Sequence, residues 1–418
     1  MRKILIPATT LLLTHGLAPA ADWPQWRGPE RTGHIASDER IPENLDAVKL
    51  LWNIPIGDGL ASPVVSAGRV FYLDNQSNKE TVHAVDAASG KPIWRHELDE
   101  AFKDSQSAAG PRCTPVVDGD RLYAQSCRGE LQCLSTADGK VIWRTNFVKD
   151  FGAVFTGERG TAEGARRHGY NGAPVVHGDH LIALVGGKDG AGVVCFNKRD
   201  GKVVWKSQDD IPAYAPPIVA TIAGREQIIA FTVQGVIGLD ATNGKLLWRD
   251  PMKTAFGRHA TTPVIVDDTV VVSSHQVGLV GVRIENEGDN LKATRAWTLK
   301  DAAINFSSPV AMGLYLYGLG PAKNFMCIEV EPGAQAWSKD GFTSGGADKA
   351  HAGIIVLGDR LLVLTDGGEA VLVAADPRAY QELGRAQVCG KNWCNPAYSN
   401  GKLYLRDARE LRCVQLTQ

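Results

Sequence analysis

The sequence has no excess of either charge and no long apolar run beyond its first residues. Its 418 residues carry 45 Lys and Arg against 46 Asp and Glu, so the balance indicates neither nucleic acid nor an anionic membrane as a partner. After residue 13 no apolar stretch is long enough to span a bilayer as a helix. His-x-x-His pairs, phosphate loops and a Ser-His-Asp signature are also missing, so no metal site and no catalytic site is predicted.

The first 20 residues have the three parts of an export signal. Met1-Arg2-Lys3 is basic, residues 4–13 are apolar, and Ala18-Pro19-Ala20 is a small-x-small cleavage sequence. We therefore predict a signal peptide over residues 1–20, with cleavage before Ala21 and a periplasmic or secreted mature chain. No cysteine follows the apolar run, so no lipid anchor is predicted.

The eight cysteines fall into two groups of four. One group lies at strand positions equivalent to Ala84, where a small buried hydrophobe is expected: Cys133, Cys195, Cys327 and Cys413. The other group lies near strand ends: Cys113, Cys127, Cys389 and Cys394. Export permits disulfides, so the pairs Cys113–Cys127 and Cys389–Cys394 stay open as alternatives to free thiols.

A short pattern ending in tryptophan recurs along the chain. Glycine stands four residues before Trp94, Trp143, Trp205 and Trp248, with lysine three residues before each. Repeats spaced by roughly 40–50 residues are typical of propellers and other arrays. An Asp, Asn or Ser that opens the pattern predicts a side-chain-capped turn, in which the glycine takes a positive φ.

A second pattern, small/polar-Pro-apolar-apolar, begins each repeat and predicts an innermost strand. Proline suits an edge strand or a strand start because it cannot donate to the ladder. Eight copies occur, so residues 49–418 predict an all-β, eight-bladed β-propeller with four antiparallel strands per blade. Trp52 precedes the first copy, so residues 49–54 should pair with 410–416 and complete the last blade. Residues 21–48 form a lead-in segment expected to pack on the propeller.

The repeated tryptophans are interpreted as structural side chains that pack between neighbouring blades. The predicted docking residues are Trp52, Trp94, Trp143, Trp205, Trp248, Trp297 and Trp337. The seventh repeat lacks a tryptophan near residues 383–385.

The Gly-Lys-x-x-Trp repeats resemble the tryptophan-docking motifs of the pyrroloquinoline-quinone (PQQ) propeller superfamily, and residues 22–29 resemble a common lead-in of its secreted members. The resemblance covers residues 49–418 and implies two functional classes. One is the quinoprotein alcohol dehydrogenases, which use PQQ and calcium. The other is a non-enzymatic lipoprotein of the outer-membrane β-barrel assembly machinery. This chain lacks the adjacent cysteine pair of the dehydrogenases and most of their long insertions.

We therefore predict a non-catalytic binding module with no cofactor, and keep a PQQ-dependent alcohol or sugar oxidoreductase as the alternative. The loops before the innermost strands should converge on one mouth of the channel. They offer cationic, amide and aromatic groups: Arg112, His168, Tyr170, Asn171, Tyr214, Arg258, His259, Asn305, His351, Lys391, Asn392 and Trp393. Acids are scarce in these loops, so the expected partner is a small anionic ligand or an acidic protein or peptide.

The longest insertion lies between Trp143 and the third innermost strand. It spans about 25 residues, and loops of that length are usually functional or mobile. We predict that it forms a lid or rim over the channel mouth.

Overall fold

A computed structural model describes residues 22–288, 290–343 and 350–416; the predicted signal peptide lies outside these ranges. Nearly all of the described regular structure is β. The strands, in chain order, are β1 Lys49–Pro55, β2 Val64–Ser66, β3 Arg69–Gln76, β4 Lys79–Asp86, β5 Pro92–Glu100, β6 Val116–Asp118, β7 Arg121–Gln125, β8 Glu130–Ser135, β9 Val141–Asn146, β10 Val175–His177, β11 His180–Leu184, β12 Val193–Asn197, β13 Val203–Ser207, β14 Ile218–Ile222, β15 Arg225–Thr232, β16 Gly235–Asp240, β17 Leu246–Pro251, β18 Val264–Val266, β19 Thr269–Ser274, β20 Gly278–Glu287, β21 Asn290–Leu299, β22 Val310–Met312, β23 Tyr315–Leu319, β24 Phe325–Glu329, β25 Ala334–Lys339, β26 Ala352–Leu357, β27 Arg360–Thr365, β28 Glu369–Ala374, β29 Glu382–Gln387, β30 Ala397–Ser399, β31 Lys402–Arg406 and β32 Glu410–Gln415. Two short α-helices, α1 Phe147–Phe151 and α2 Ala165–His168, and two 3₁₀ turns, Ala255–Gly257 and Lys300–Ala302, lie in connecting segments.

These strands form eight four-stranded antiparallel sheets, which confirms the predicted eight-bladed propeller. Blades 1 to 7 each use four consecutive strands, beginning with β2–β5 and ending with β26–β29. Blade 8 contains β30, β31 and β32, and its outer strand is β1 from the other end of the chain. The pairs Asn53↔Arg412 and Pro55↔Glu410 confirm the predicted closure. In seven of the blades proline immediately precedes the innermost strand, where no ladder donor is required.

Trp94 shows how the tryptophan of an outer strand docks on the next blade. Its indole N–H donates to the carbonyl of Thr136 in blade 2 at 2.9 Å, and its ring lies over Gly139. That glycine has φ 72°, and an added Cβ would stand 2.6 Å from the indole. Only glycine therefore satisfies both the turn and the stacked ring. Trp52 and Trp143 make the same bond to the carbonyls of Ala87 and Lys198.

A small residue faces each docked tryptophan on the neighbouring strand of its own blade. Cys133 pairs with Trp143 and Cys195 with Trp205, while blade 4 has Gly238 opposite Trp248. The four cysteines of this group are fully buried, as predicted. All eight cysteines are buried free thiols, so neither of the two conceivable disulfides forms.

Every outer strand also carries a β-bulge directly before its tryptophan position. In blade 3, for example, Val204 is skipped between the pairs Cys195↔Trp205 and Phe196↔Val203. The same register shift occurs on the outer strand of the other blades. A bulge twists an exposed edge and interrupts the row of unpaired backbone groups that another strand could use.

The lead-in segment crosses one end of the central channel. Trp23 forms a β-bridge with Val65 of blade 1 and is 3% exposed. Further along, Gly33 accepts a hydrogen bond from the backbone of Val356 in blade 7 at 2.8 Å. The segment, which we call the plug (residues 22–48), thus packs against innermost strands from blade 1 to blade 7.

Candidate functional site

The predicted channel mouth is a cavity of about 410 Å³, which we call the funnel. Loops from every blade converge on it, and the lead-in supplies Trp26. Its lining residues are Trp26, Leu60, Gln106, Ser107, Arg112, His168, Asn171, Tyr214, Pro216, Arg258, Ala260, Phe306, His351 and Trp393. The funnel therefore gathers residues far apart in sequence into one concave surface closed beneath by the plug.

Seven of the twelve predicted mouth residues line the funnel, and five do not. Tyr170 and His259 are buried in the wall; the Tyr170 hydroxyl donates to a backbone carbonyl at 3.1 Å, and the His259 ring stacks on Phe231. Asn392 is 5% exposed and donates to the carbonyl of Thr365. These three side chains hold the loops in place.

The other two predicted residues lie beside the funnel. Asn305 lines a neighbouring cavity of about 320 Å³. Lys391 is exposed and does not belong to the funnel lining. The predicted cluster of Arg112, Arg258 and Lys391 is thus reduced to two arginines in the funnel.

One acid that was not predicted, Asp104, holds two side chains of the funnel lining in place. Asp104 accepts hydrogen bonds from Arg112 at 2.7 Å and from His168 Nδ1 at 2.8 Å. Burial alone would raise the pKa of Asp104, but these two partners outweigh it and hold the pKa well below its usual range. The Arg112 guanidinium is therefore paired with Asp104 rather than unpaired in the funnel. Arg258 makes no ion pair with any described residue.

Two histidines present unpaired ring nitrogens at buried positions. His168 is 5% exposed, and with Nδ1 on Asp104 its Nε2 has no partner among the described residues. His351 is 3% exposed, and its Nδ1 is likewise unpartnered within the described chain. Burial lowers the pKa of His351 to about 4, so this ring is neutral at pH 7. Unsatisfied polar atoms next to a cavity are suited to a ligand's hydrogen bonds.

Blades 6 to 8 give the funnel an aromatic wall. Phe306 and Trp393 lie with ring centroids 5.2 Å apart, and the His351 ring is stacked with Trp393 at 6.3 Å. The Trp26 indole donates to Thr262 Oγ1 at 2.9 Å, which fixes this side chain in the lining. Blades 2 to 5 supply the polar groups instead, so the funnel has one polar and one aromatic side.

The long insertion forms part of the rim. Glu158 accepts hydrogen bonds from the backbone and hydroxyl of Ser105, both at 2.6 Å, and the guanidinium of Arg167 lies 4.5 Å from the Phe256 ring centroid. The insertion thus joins the loop before blade 2 to the loop before blade 5. His168, near the C-terminal end of the insertion, lines the funnel.

No helix within residues 22–288, 290–343 and 350–416 is long and apolar enough to cross a membrane. In the same part of the chain, no three His, Cys, Asp or Glu side chains converge where they could hold a metal ion.

The chain matches one family model and several known proteins. A family model described as outer membrane protein assembly factor BamB matches residues 78–339. The outer membrane protein assembly factor BamB of Yersinia pestis is 23% identical over 340 residues, which cover 76% of this chain and 77% of that protein.

Two solved structures share the propeller. BamB from Moraxella catarrhalis matches with a TM-score of 0.59 at 14% identity, covering 88% of this chain and 98% of that one. Quinohemoprotein alcohol dehydrogenase from Comamonas testosteroni matches with a TM-score of 0.65 at 13% identity, covering 96% of this chain and 81% of that one. At these identities the likeness establishes the fold alone.

Proposed function

The chain belongs to the family of the outer membrane protein assembly factor BamB, and we propose that it is an exported, non-catalytic propeller that binds a protein partner during outer-membrane protein assembly. The observation that carries the proposal is the funnel. It is a preformed concave surface in which unpaired polar atoms face an aromatic wall. Such a combination is typical of binding sites.

The funnel suits a short extended segment of a partner. Its rim loops are tied to one another and its base is closed by the plug, so binding does not require the ring to rearrange. His168 Nε2 and the Arg258 guanidinium offer hydrogen bonds on one side, while Phe306 and Trp393 offer apolar area on the other. A partner segment with both a polar and an aromatic group would use both sides.

Site-directed photocrosslinking in cells tests this proposal. A photoreactive phenylalanine analogue at Phe306 should crosslink to an outer-membrane assembly component or an outer-membrane protein in transit, identified by mass spectrometry. Leu314 is the matched control, because it is 55% exposed and lies in the turn after β22, at the opposite end of that strand from the funnel. Crosslinking at Leu314 alone, or at neither position, would refute a funnel-based role.

The alternative, a PQQ-dependent alcohol or sugar oxidoreductase, is favoured by the same aromatic wall beside Arg258, which suits a planar anion. Of the two arginines that line the funnel, Arg112 is paired with Asp104, which leaves Arg258 to bind the carboxylates of PQQ. Dye-coupled alcohol oxidation after addition of PQQ and calcium decides between the two. We expect no dye reduction above that of PQQ and calcium alone.

A further inference from the structure

The plug carries two arginines into the interior of the ring. Arg27 and Arg31 are each 3% exposed. Arg31 donates to the carbonyl of Pro217 at 2.9 Å and to that of Ala173 at 3.2 Å. Arg27 donates to the carbonyls of Thr32 and Pro309. The acceptors belong mainly to residues at the starts of the innermost strands, so the guanidinium groups lie on the channel side of the blades.

Neither arginine has an acidic partner within the described chain. Every ion pair found there involves other residues, and burial is the main influence on the pKa of Arg31. Burial lowers the pKa of both guanidinium groups to about 9, so both remain charged at pH 7. Carbonyl dipoles satisfy most of their N–H groups but do not cancel two positive charges, and Arg27 Nη1 has no acceptor.

The hydrogen-bond acceptors and chain neighbours of these two arginines lie next to residues of the funnel lining. Pro217, which accepts from Arg31, is the chain neighbour of Pro216 in the funnel lining, and Ala173 is two residues from Asn171 in the same lining. Trp26, the neighbour of Arg27, is itself a lining residue. Charges in the protein interior interact more strongly than the same charges in water.

We propose that the base of the funnel is a carboxylate subsite whose attraction comes from Arg31 and Arg27 of the plug, with Arg258 at the wall. This rests on the proposed function and names the chemistry of the partner: an acidic peptide segment that directs a side-chain or terminal carboxylate toward Trp26. The buried, unpartnered Nε2 of His168 and Nδ1 of His351 supply the neighbouring hydrogen-bonding positions. The lead-in is therefore part of the binding site.

Titration calorimetry on the mature chain tests the subsite with hexaglutamate, its amide counterpart hexaglutamine, and citrate. We expect hexaglutamate to bind and hexaglutamine not to bind, with affinity falling as salt rises. Arg31→Gln should weaken hexaglutamate by about tenfold or more, whereas Arg31→Lys, which keeps the charge, should weaken it less. Arg40→Gln is the matched control, since it removes one charge from an exposed position of the same segment.

The outcomes separate this subsite from the broader function. Equal hexaglutamate affinity for Arg31→Gln and Arg40→Gln overturns the subsite, and citrate binding without peptide binding overturns the acidic-peptide assignment. If Arg31→Gln does not fold by circular dichroism, Arg258→Gln decides: unchanged hexaglutamate affinity in this variant overturns the proposal. Failure of hexaglutamate to bind while Phe306 still crosslinks to an assembly component leaves protein binding intact and removes only the carboxylate subsite.

Discussion

At the scale of single residues, one buried acid joins blade 1 to blade 2. Glu80 is fully buried on β4, and its carboxylate accepts from the backbone N–H of Cys127 in blade 2. Burial raises the pKa of Glu80 to about 7, against its ordinary 4.5. A carboxyl whose pKa is higher in the folded state than in the unfolded state makes the fold less stable as the pH rises.

Glu80→Gln should therefore stabilise the protein in a pH-dependent way. Below pH 4.5 both states of the wild type hold the proton, so the substitution should change little. Above pH 7 both have lost it, and the full penalty is present, so the gain should approach about 2–3 kcal/mol. Urea unfolding at pH 4.5 and pH 8 measures this, with exposed Glu97→Gln as the control. An equal gain at both pH values would contradict the assignment.

His351 works in the opposite direction. Its pKa of about 4 in the fold lies below its ordinary 6.5, so the unfolded chain binds the proton first as the pH falls. The stability that the neutral ring contributes is complete above pH 6.5 and is lost between about pH 6.5 and 4, by up to about 3 kcal/mol. Chemical unfolding across this range should show a shallower acid loss for His351→Gln than for wild type. Parallel curves would show that the pKa of the ring is the same in the folded and the unfolded state.

Several residues of the funnel could be predicted from the sequence, but one important acid could not. Arg112, His168 and Arg258 were predicted at the mouth because each lies shortly before an innermost strand. Asp104 was missed because it lies eight residues before Arg112, in a loop without a repeat position. Its signal was local: its side chain caps a turn by accepting from the backbone of Gln106 at 2.9 Å and of Ser107 at 3.1 Å. An Asp followed by small polar residues could have indicated that turn.

At the scale of the element, the docking turn explains why the repeat could be predicted from the sequence. Its parts are local in sequence: Asp240 caps the turn, Gly244 takes φ 74° and Lys245 immediately precedes the outer strand. The plug could not be predicted in the same way, because Arg27 and Arg31 find most of their acceptors 142 to 282 residues away. Packing against the propeller was expected of the lead-in; two buried arginines were not.

A double-mutant cycle on one turn tests the docking geometry. Trp205→Ala should cost about 3–5 kcal/mol, as for other buried aromatics. Gly244→Ala should also destabilise, because its Cβ would stand 2.5 Å from the Trp205 ring. The double variant should lose less than the sum, since removing the indole relieves the clash. Unfolding free energies provide the cycle, with Trp393→Ala as a funnel control expected to change stability little. Strict additivity would show that the ring does not lie over this glycine.

At the scale of the whole molecule, stability depends on joining the two ends of the chain. Seven blades are built from consecutive strands, whereas blade 8 exists only when β1 pairs with β32. Hydrophobic contacts continue across this joint, since Trp52, Tyr404 and Cys413 share one buried cluster. Opening the joint therefore exposes both a sheet edge and part of the core.

A disulfide across the joint should stabilise more than one within a blade. Asn53 and Arg412 are direct partners in blade 8, and Arg95 and His83 are the equivalent pair in blade 1. Cysteines at 53 and 412 would close a loop of roughly 360 residues, worth about 5–6 kcal/mol in unfolded-chain entropy, against about 3 kcal/mol for roughly 13 residues at 83 and 95. Melting under oxidising and reducing conditions compares them. A larger gain in stability from the short loop would contradict the idea that joining the two chain ends limits the stability of the ring.

The plug and β1 also give the protein an order in time. Residues 22–55 are the first of the described chain to be synthesised, yet their partners extend from Val65 to residues 410–415. β1 can reach its final place only after the last blade has been made, so one of the earliest strands is the last to pair. Until then the outer edge of β32 is bare. A chain interrupted before β32 would therefore leave β1 without a partner and the ring open.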